Sequence, residues 1–150
     1  MRLIVDLDTN YHGHILAYIN CPQFTSPQPI HLVIDTGSTN TTLLGDDVTR
    51  LSINCTNLML SPTPCQTAHD LVRPYLLPNV EIGMEVREGW LNRQRRFRIV
   101  EFPSVNCMPP THPQFMTRQR VRGAYSLLGM DFLRLFKKWK FAGGFLFLDT

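Results

Sequence analysis

A run of mostly apolar, largely β-branched residues leads directly into the turn Asp35-Thr36-Gly37-Ser38. The run, residues 30–34, is typical of a strand buried on both faces. Such a strand places the Asp35 carboxylate at the end of a rigid element, beside a glycine that lets backbone approach it closely. A simple Asx turn would use the same residue types. Because Asp35 follows a buried strand directly and precedes a glycine, we take it as the candidate catalytic residue.

A second short motif lies far downstream, where Leu127-Leu128-Gly129 is followed by a possible helix. Two motifs in this order, about ninety residues apart, are much harder to obtain by chance than either one alone. Together they resemble the active-site loop and the later hydrophobic-hydrophobic-Gly segment of retroviral-type (retropepsin-like) aspartic proteases. The resemblance extends over most of the chain.

The resemblance implies a fold class and an activity. The fold would be all-β, a pepsin/retropepsin-like closed β-barrel with one short C-terminal helix, and residues 1–150 would form a single domain. The activity would be that of an aspartic endopeptidase that hydrolyses peptide bonds in a peptide or protein substrate. No cofactor and no metal are expected.

Aspartic-protease chemistry needs two carboxylates facing one water. One is ionised and takes a proton from the water, while the other is protonated and stabilises the developing oxyanion. Two acids that share a site hold a single proton between them, as is well known for this class. Only one Asp-Thr-Gly is present in the sequence. We therefore expect Asp35 to meet Asp35 of a second copy across a two-fold axis, in a symmetric homodimer.

The resemblance also assigns roles to the residues around Asp35. Thr36 would hydrogen-bond across the two-fold axis, Gly37 would let the backbone pass close to substrate, and Ser38 would hydrogen-bond the carboxylate. Dimerisation would use interleaved terminal strands. The two ends of this chain, residues 3–7 and 145–148, are apolar enough for that, although pairing within one subunit explains them equally well.

Two further segments are assigned by resemblance. Leu127, Leu128 and Gly129 would pack under the catalytic loop and help to shape the substrate pockets. The flap, a hairpin that closes over substrate, would have its tip at Ala68-His69-Asp70, by order along the chain. Residues 46–82 contain no glycine, whereas retroviral flaps are glycine-rich.

The remaining chain is predicted mainly as strands and loops. Strands are expected over residues 3–7, 13–20, 75–82 and 97–102, a short helix over 45–51, and an apolar strand over 143–150. Four prolines predict an irregular loop over residues 103–114. Apolar and basic residues alternate at helical spacing over residues 131–139, which predicts an amphipathic helix. Asp131, at its start, is assigned to capping.

Three other function classes can be weighed. The same fold could be a catalytically weak or inactive dimerisation or peptide-binding module. Arginines cluster over residues 93–98 and 118–122, but no nucleic-acid-binding signature accompanies them, so we do not expect a nucleic-acid partner. His12 and His14 could share a strand face, yet no third ligand converges on them, so no metal site is predicted.

Composition and charge constrain the cellular context only loosely. The net charge is +3, and no apolar run approaches the roughly 20 residues of a membrane span. The N-terminus meets an acid too soon for a secretory signal. We expect a soluble, cytoplasmic protein without a membrane partner. The four cysteines show no close-paired spacing, which favours idle thiols over a zinc site or a disulfide.

Overall fold

A computed structural model describes residues 1–8, 13–66, 71–91, 94–109 and 125–150. Within these ranges the chain is mostly β, as the sequence predicts, with two short helices, α1 (Gly45–Arg50) and α2 (Met130–Leu133). The strands, in chain order, are β1 Arg2–Asp6, β2 His14–Asn20, β3 Gln28–Ile34, β4 Thr42–Leu43, β5 Met59–Leu60, β6 Cys65–Gln66, β7 Leu71–Val72, β8 Tyr75–Glu88, β9 Arg95–Cys107, β10 Ser126–Leu128, β11 Lys138–Ala142 and β12 Phe145–Asp149.

Six of these strands close into a barrel. The ring runs β8-β2-β3-β10-β4-β9, and β9 pairs with β8 again to complete it. Inward-facing residues along β8 and β2 alternate with outward-facing ones, so that one set fills a continuous apolar core and the other meets solvent. The predicted closed β-barrel is therefore confirmed.

Three strands extend the sheet beyond the barrel, in the order β11-β12-β1, and β1 joins it to β8. The two chain termini pair within one chain, from Arg2 opposite Asp149 to Asp6 opposite Phe145. Arg2 donates two hydrogen bonds, of 2.7 and 3.0 Å, to the Asp149 carboxylate at the outer end of this pair. The terminal strands could interleave between subunits or pair within one subunit. In the structure, β1 pairs with β12 of the same chain.

The short strand β10 lies between β3 and β4, far from both in sequence. It is parallel to β3, with Leu127 opposite Val33 and Leu128 opposite Ile34, and it is antiparallel to β4. The amide of Asp35 then donates to the carbonyl of Leu128 at 3.0 Å. Residues from the two sequence motifs are thus held side by side by backbone hydrogen bonds.

The two longest strands form an antiparallel pair from Tyr75 opposite Cys107 to Arg87 opposite Arg95. The predicted loop over residues 103–114 is wrong at its start, because β9 continues to Cys107. The ladder tolerates Pro103 since this residue, opposite Asn79, forms no pair in it. Asn79 adopts a left-handed conformation, with a φ of 53°, at the same point.

The predicted helix over residues 131–139 is wrong beyond its first turn. Helix α2 ends at Leu133, and residues from Lys138 onward form β11, the outer strand of a hairpin with β12. Gly143 and Gly144 form its two-residue turn, with φ angles of 57° and 79°, which suits a tight hairpin of this kind. For residues 138 and 139, pairing with the apolar strand β12 outweighs the helical spacing of residues 131–139.

The four cysteines are all free thiols. Burial raises the pKa of each of them, most strongly that of Cys107, which is 0% exposed. A raised pKa reduces the thiolate population on which nucleophilic and redox reactivity depend.

None of the helices in the described ranges is both long and apolar enough to cross a bilayer.

Candidate active site

Asp35 is the first residue after β3, and its side chain is half-buried. The amide of Gly37 donates a 2.9 Å hydrogen bond to its Oδ1 atom, and the amide of Ser38 donates to its carbonyl oxygen at 3.2 Å. A Cβ atom on Gly37 would lie only 3.2 Å from the same Oδ1. The turn therefore holds the carboxylate by a short backbone contact that a side chain at residue 37 would crowd.

The neighbouring hydroxyl groups behave differently from each other. The Thr36 side chain is exposed, and within the described residues its hydroxyl makes no hydrogen bond. The Ser38 hydroxyl donates to the carbonyl of Asn40 at 2.7 Å, and not to the Asp35 carboxylate as the sequence predicts. A serine hydroxyl has a single proton to donate, and the local turn uses it.

Gly129 lies against the backbone of the Asp35 loop. A Cβ atom there would come within 2.7 to 2.8 Å of the Asn40 backbone and of the Ser38 carbonyl oxygen. The next two amides continue the contact, because Met130 donates to the Ser38 carbonyl at 2.8 Å and Asp131 to that of Thr39 at 3.1 Å. Only glycine permits this close approach of two backbones.

Asp131 makes a connection that no local sequence pattern predicts. Its carboxylate accepts hydrogen bonds from the backbone amide of Thr41, at 2.9 Å, and from the Thr41 hydroxyl, at 2.8 Å. The same hydroxyl accepts from the amide of Gly129 at 3.2 Å. Asp131 therefore ties α2 to the chain that leaves the Asp35 turn, beyond the capping role that its position at a helix start predicts.

We expect the Thr41→Val substitution to lower the free energy of unfolding by about 2 kcal/mol. Thr41 is fully buried, so removing its hydroxyl leaves the Asp131 carboxylate and the Gly129 amide each short of a partner. Urea unfolding, followed by far-UV circular dichroism, measures the change. The matched control is Thr39→Val, because Thr39 is exposed and its hydroxyl makes no hydrogen bond within the described residues. Equal stability of the two variants would contradict this role for Thr41.

A second buried hydroxyl anchors the same region from the other side. Ser126, the first residue of β10, is fully buried; it donates to Asp47 at 2.6 Å and accepts from the amide of Leu44 at 3.0 Å. Leu128 belongs to the barrel core and is fully buried, whereas Leu127 is half-buried and lies beside Val33. β10 is thereby fixed to α1, to the core and to the strand that carries Asp35.

A cleft opens beside the Asp35 turn, bounded by Gly37 and Ser38 on one side and by Cys65 and Gln66 on the other. The latter two residues form β6, which pairs with β7 in a separate two-stranded sheet, Cys65 opposite Val72 and Gln66 opposite Leu71. The predicted flap tip, Ala68-His69-Asp70, lies outside the described residues. The strand that precedes the predicted tip, β6, therefore borders the same cleft as the Asp35 turn, and β7, which follows it, pairs with β6.

Several charged side chains outside the site are paired with one another. Arg95 contacts Glu85 at 2.9 Å, Arg96 contacts Glu88 at 3.0 Å, and Arg87 contacts Asp6 at 2.8 Å. The arginine cluster at residues 118–122 lies outside the described residues, as does His12. No three His, Cys, Asp or Glu side chains within the described ranges are grouped so that they could hold a metal ion.

Comparisons with known proteins bear on the fold. No protein-family model matches the sequence, and no curated protein matches it. Among solved structures, the chain is similar to the crystal structure of a retropepsin-like aspartic protease from Rickettsia conorii, with a TM-score of 0.55 and 20% sequence identity. The match covers 99% of this chain and 90% of that one. The closed barrel and this match together show that the chain has a retropepsin-like fold.

Proposed function

We propose that this protein is an aspartic endopeptidase that acts as a symmetric homodimer. In the proposed dimer, Asp35 of one subunit and Asp35 of the other face a single water. One carboxylate takes a proton from the water as it attacks the peptide carbonyl, and the other donates a proton to the oxyanion that forms. The substrate lies extended in the cleft beside the Asp35 turn.

The observation that carries this proposal is the environment of Asp35. The carboxylate sits at the end of a core strand, next to a cleft, and accepts one hydrogen bond, from Gly37, within the described residues. Asp131 is bound to Thr41 and Asp47 is bound to Ser126, so both acids are engaged elsewhere. A second catalytic acid would therefore come from a second copy of the chain.

The other predicted site residues take supporting roles in the proposal. The exposed Thr36 hydroxyl is available to hydrogen-bond across the two-fold axis. Leu127 and Leu128 in β10, and Gly129 just after it, support the Asp35 turn through backbone contacts, and we keep for them the role of shaping the substrate pockets. We retain Ala68-His69-Asp70 as the proposed flap tip, since β6, the strand that precedes it, borders the cleft and pairs with β7, the strand that follows it.

One observation favours a second candidate, the inactive dimerisation or peptide-binding module. The interleaved terminal sheet that the resemblance implies would need β1 and β12 to be available to a second subunit, whereas here they pair with each other. β12 is also paired on its other side, with β11. A dimer that retains this pairing must use a different surface, and a site that does not bring two Asp35 residues together would not catalyse.

The proposed function is tested by whether this protein cleaves a denatured substrate protein at mildly acidic pH. We expect cleavage that is inhibited by pepstatin, with a rate that falls on both sides of its pH optimum, because one acid must be ionised and the other protonated. The rate per subunit should rise with protein concentration and then level off as the dimer forms. A folded protein that forms dimers but cleaves nothing between pH 3 and pH 8 would instead support the binding module.

A further inference from the structure

The cleft beside the Asp35 turn has a volume of about 560 Å³ and is lined mainly by polar side chains. The turn and the residues after it contribute one wall, and β6 and the end of β9 contribute the others. None of the described residues that line it carries a charge at neutral pH. Its polar character comes from hydroxyl and amide groups, among them those of Ser38, Thr39, Asn40, Gln66, Ser104 and Asn106.

Several of these groups have hydrogen-bonding capacity that the protein itself does not use. The hydroxyls of Thr39 and Ser104 make no hydrogen bond within the described residues, and neither does the side-chain amide of Asn40. The Ser38 and Thr42 hydroxyls differ, because both donate to the carbonyl of Asn40. Unused donors and acceptors therefore lie both on the wall formed by the Asp35 loop and on the wall formed by the end of β9.

Asn106 differs from Thr39, Asn40 and Ser104 because it is buried. It lies on β9 and is only 6% exposed, yet its amide nitrogen donates only to the Cys65 sulfur, at 3.7 Å, and its amide oxygen accepts no hydrogen bond within the described residues. Sulfur is a weak acceptor. The amide oxygen is accessible from the cleft, so a ligand that supplies a donor there gains a hydrogen bond.

We propose that this cleft is a subsite that selects an uncharged polar side chain, that of Asn, Gln, Ser or Thr, in an extended peptide ligand. The inference rests on the proposed function, because it takes the cleft beside Asp35 as the place where peptide binds. A leucine or phenylalanine in the cleft would cover Asn106 without pairing it, which costs binding free energy. A charged side chain would lose its water and find no opposite charge in the described lining.

Peptide binding by an Asp35→Asn protein tests the selectivity separately from catalysis. The probe is a positional-scanning library of octapeptides, and the retained peptides are sequenced by mass spectrometry. We expect one position at which Asn, Gln, Ser and Thr bind about tenfold more tightly than Leu, Ile and Phe. A preference for apolar side chains at every position, or no retention of any peptide, would overturn the inference.

Two substitutions connect the preference to the cleft. Asn106→Leu should reduce the tenfold preference to about twofold or reverse it. Ser104→Ala removes a hydroxyl that makes no internal hydrogen bond, so it should keep the fold and weaken the preference about threefold, even if Asn106→Leu proves unstable. The matched control is Thr25→Ala, an exposed hydroxyl in the loop between β2 and β3. An unchanged preference in Ser104→Ala would overturn the assignment. Cleavage by the unsubstituted protein is scored separately, so a failure of the proposed function is distinguishable from a failure of this inference.

Discussion

An Asp35→Asn protein is expected to fold normally and to lose about 10⁴-fold in peptide cleavage, the upper range for loss of an acid–base group. The substitution keeps the size of the side chain and can keep the hydrogen bond that Gly37 donates to the Oδ1 position. It removes the ionisable proton, and in a symmetric dimer it removes it from both halves of the site. Initial rates on a denatured protein, compared at equal concentrations, measure the loss.

The matched control for this variant is Asp46→Asn, the same chemical change in the first turn of α1. We expect it to keep the activity of the unsubstituted protein, because it leaves in place the hydrogen bond from Ser126 to Asp47, which joins β10 to α1. Near-UV circular dichroism of both variants checks that the fold is retained. Full activity of Asp35→Asn would exclude Asp35 as a catalytic group.

Mixing the two kinds of subunit distinguishes a shared site from a site within one chain. If each active site needs Asp35 from both subunits, adding an equal amount of Asp35→Asn protein should reduce the activity of a fixed amount of unsubstituted protein to about half. A ninefold excess should reduce it to roughly one tenth. Activity that does not change on mixing would show that a single chain cleaves alone, and the dimeric mechanism would then be wrong.

The sequence predicted those parts of the structure that depend on local patterns. The apolar run before Asp35 is a strand, residues 45–50 form the predicted short helix, and the barrel closes as the resemblance implies. The strand and the helix follow from local residue patterns, whereas the closed barrel is what the resemblance implies. Local patterns therefore located the Asp35 turn and the Leu127-Leu128-Gly129 segment, and the structure places them side by side.

The parts that were missed depend on contacts between distant residues. The spacing of Phe132, Leu135 and Phe136 is helical, but the chain from Lys138 pairs with the C-terminal strand, and no local pattern reports that pairing. The hydrogen bonds between Asp131 and Thr41 join residues ninety positions apart. The hydroxyl of Ser38 donates to the carbonyl of Asn40 within the same turn, and this choice of acceptor depends on the exact backbone geometry.

We expect Gly129→Ala to be the most destabilising small change in the site, lowering the free energy of unfolding by about 3 kcal/mol. The added methyl would lie 2.7 to 2.8 Å from backbone atoms of Asn40 and Ser38. Those atoms cannot withdraw freely, because the carbonyl of Ser38 accepts from the amide of Met130 and the Asp35 turn is bonded to β10. Relief of the clash must therefore shift the turn that carries Asp35.

Gly83→Ala provides the control, since it introduces the same methyl group in a closer clash of a different kind. The three atoms nearest to its Cβ would all belong to the ring of Phe97, whose side chain is about half exposed and can rotate away. We expect a loss below about 1 kcal/mol for Gly83→Ala, with cleavage unchanged, against a large loss of both stability and cleavage for Gly129→Ala. Urea unfolding and cleavage rates of the two variants show whether the atoms next to each added methyl group can move away from it. If both variants lose the same free energy, the backbone contact at Gly129 does not hold the Asp35 turn in place.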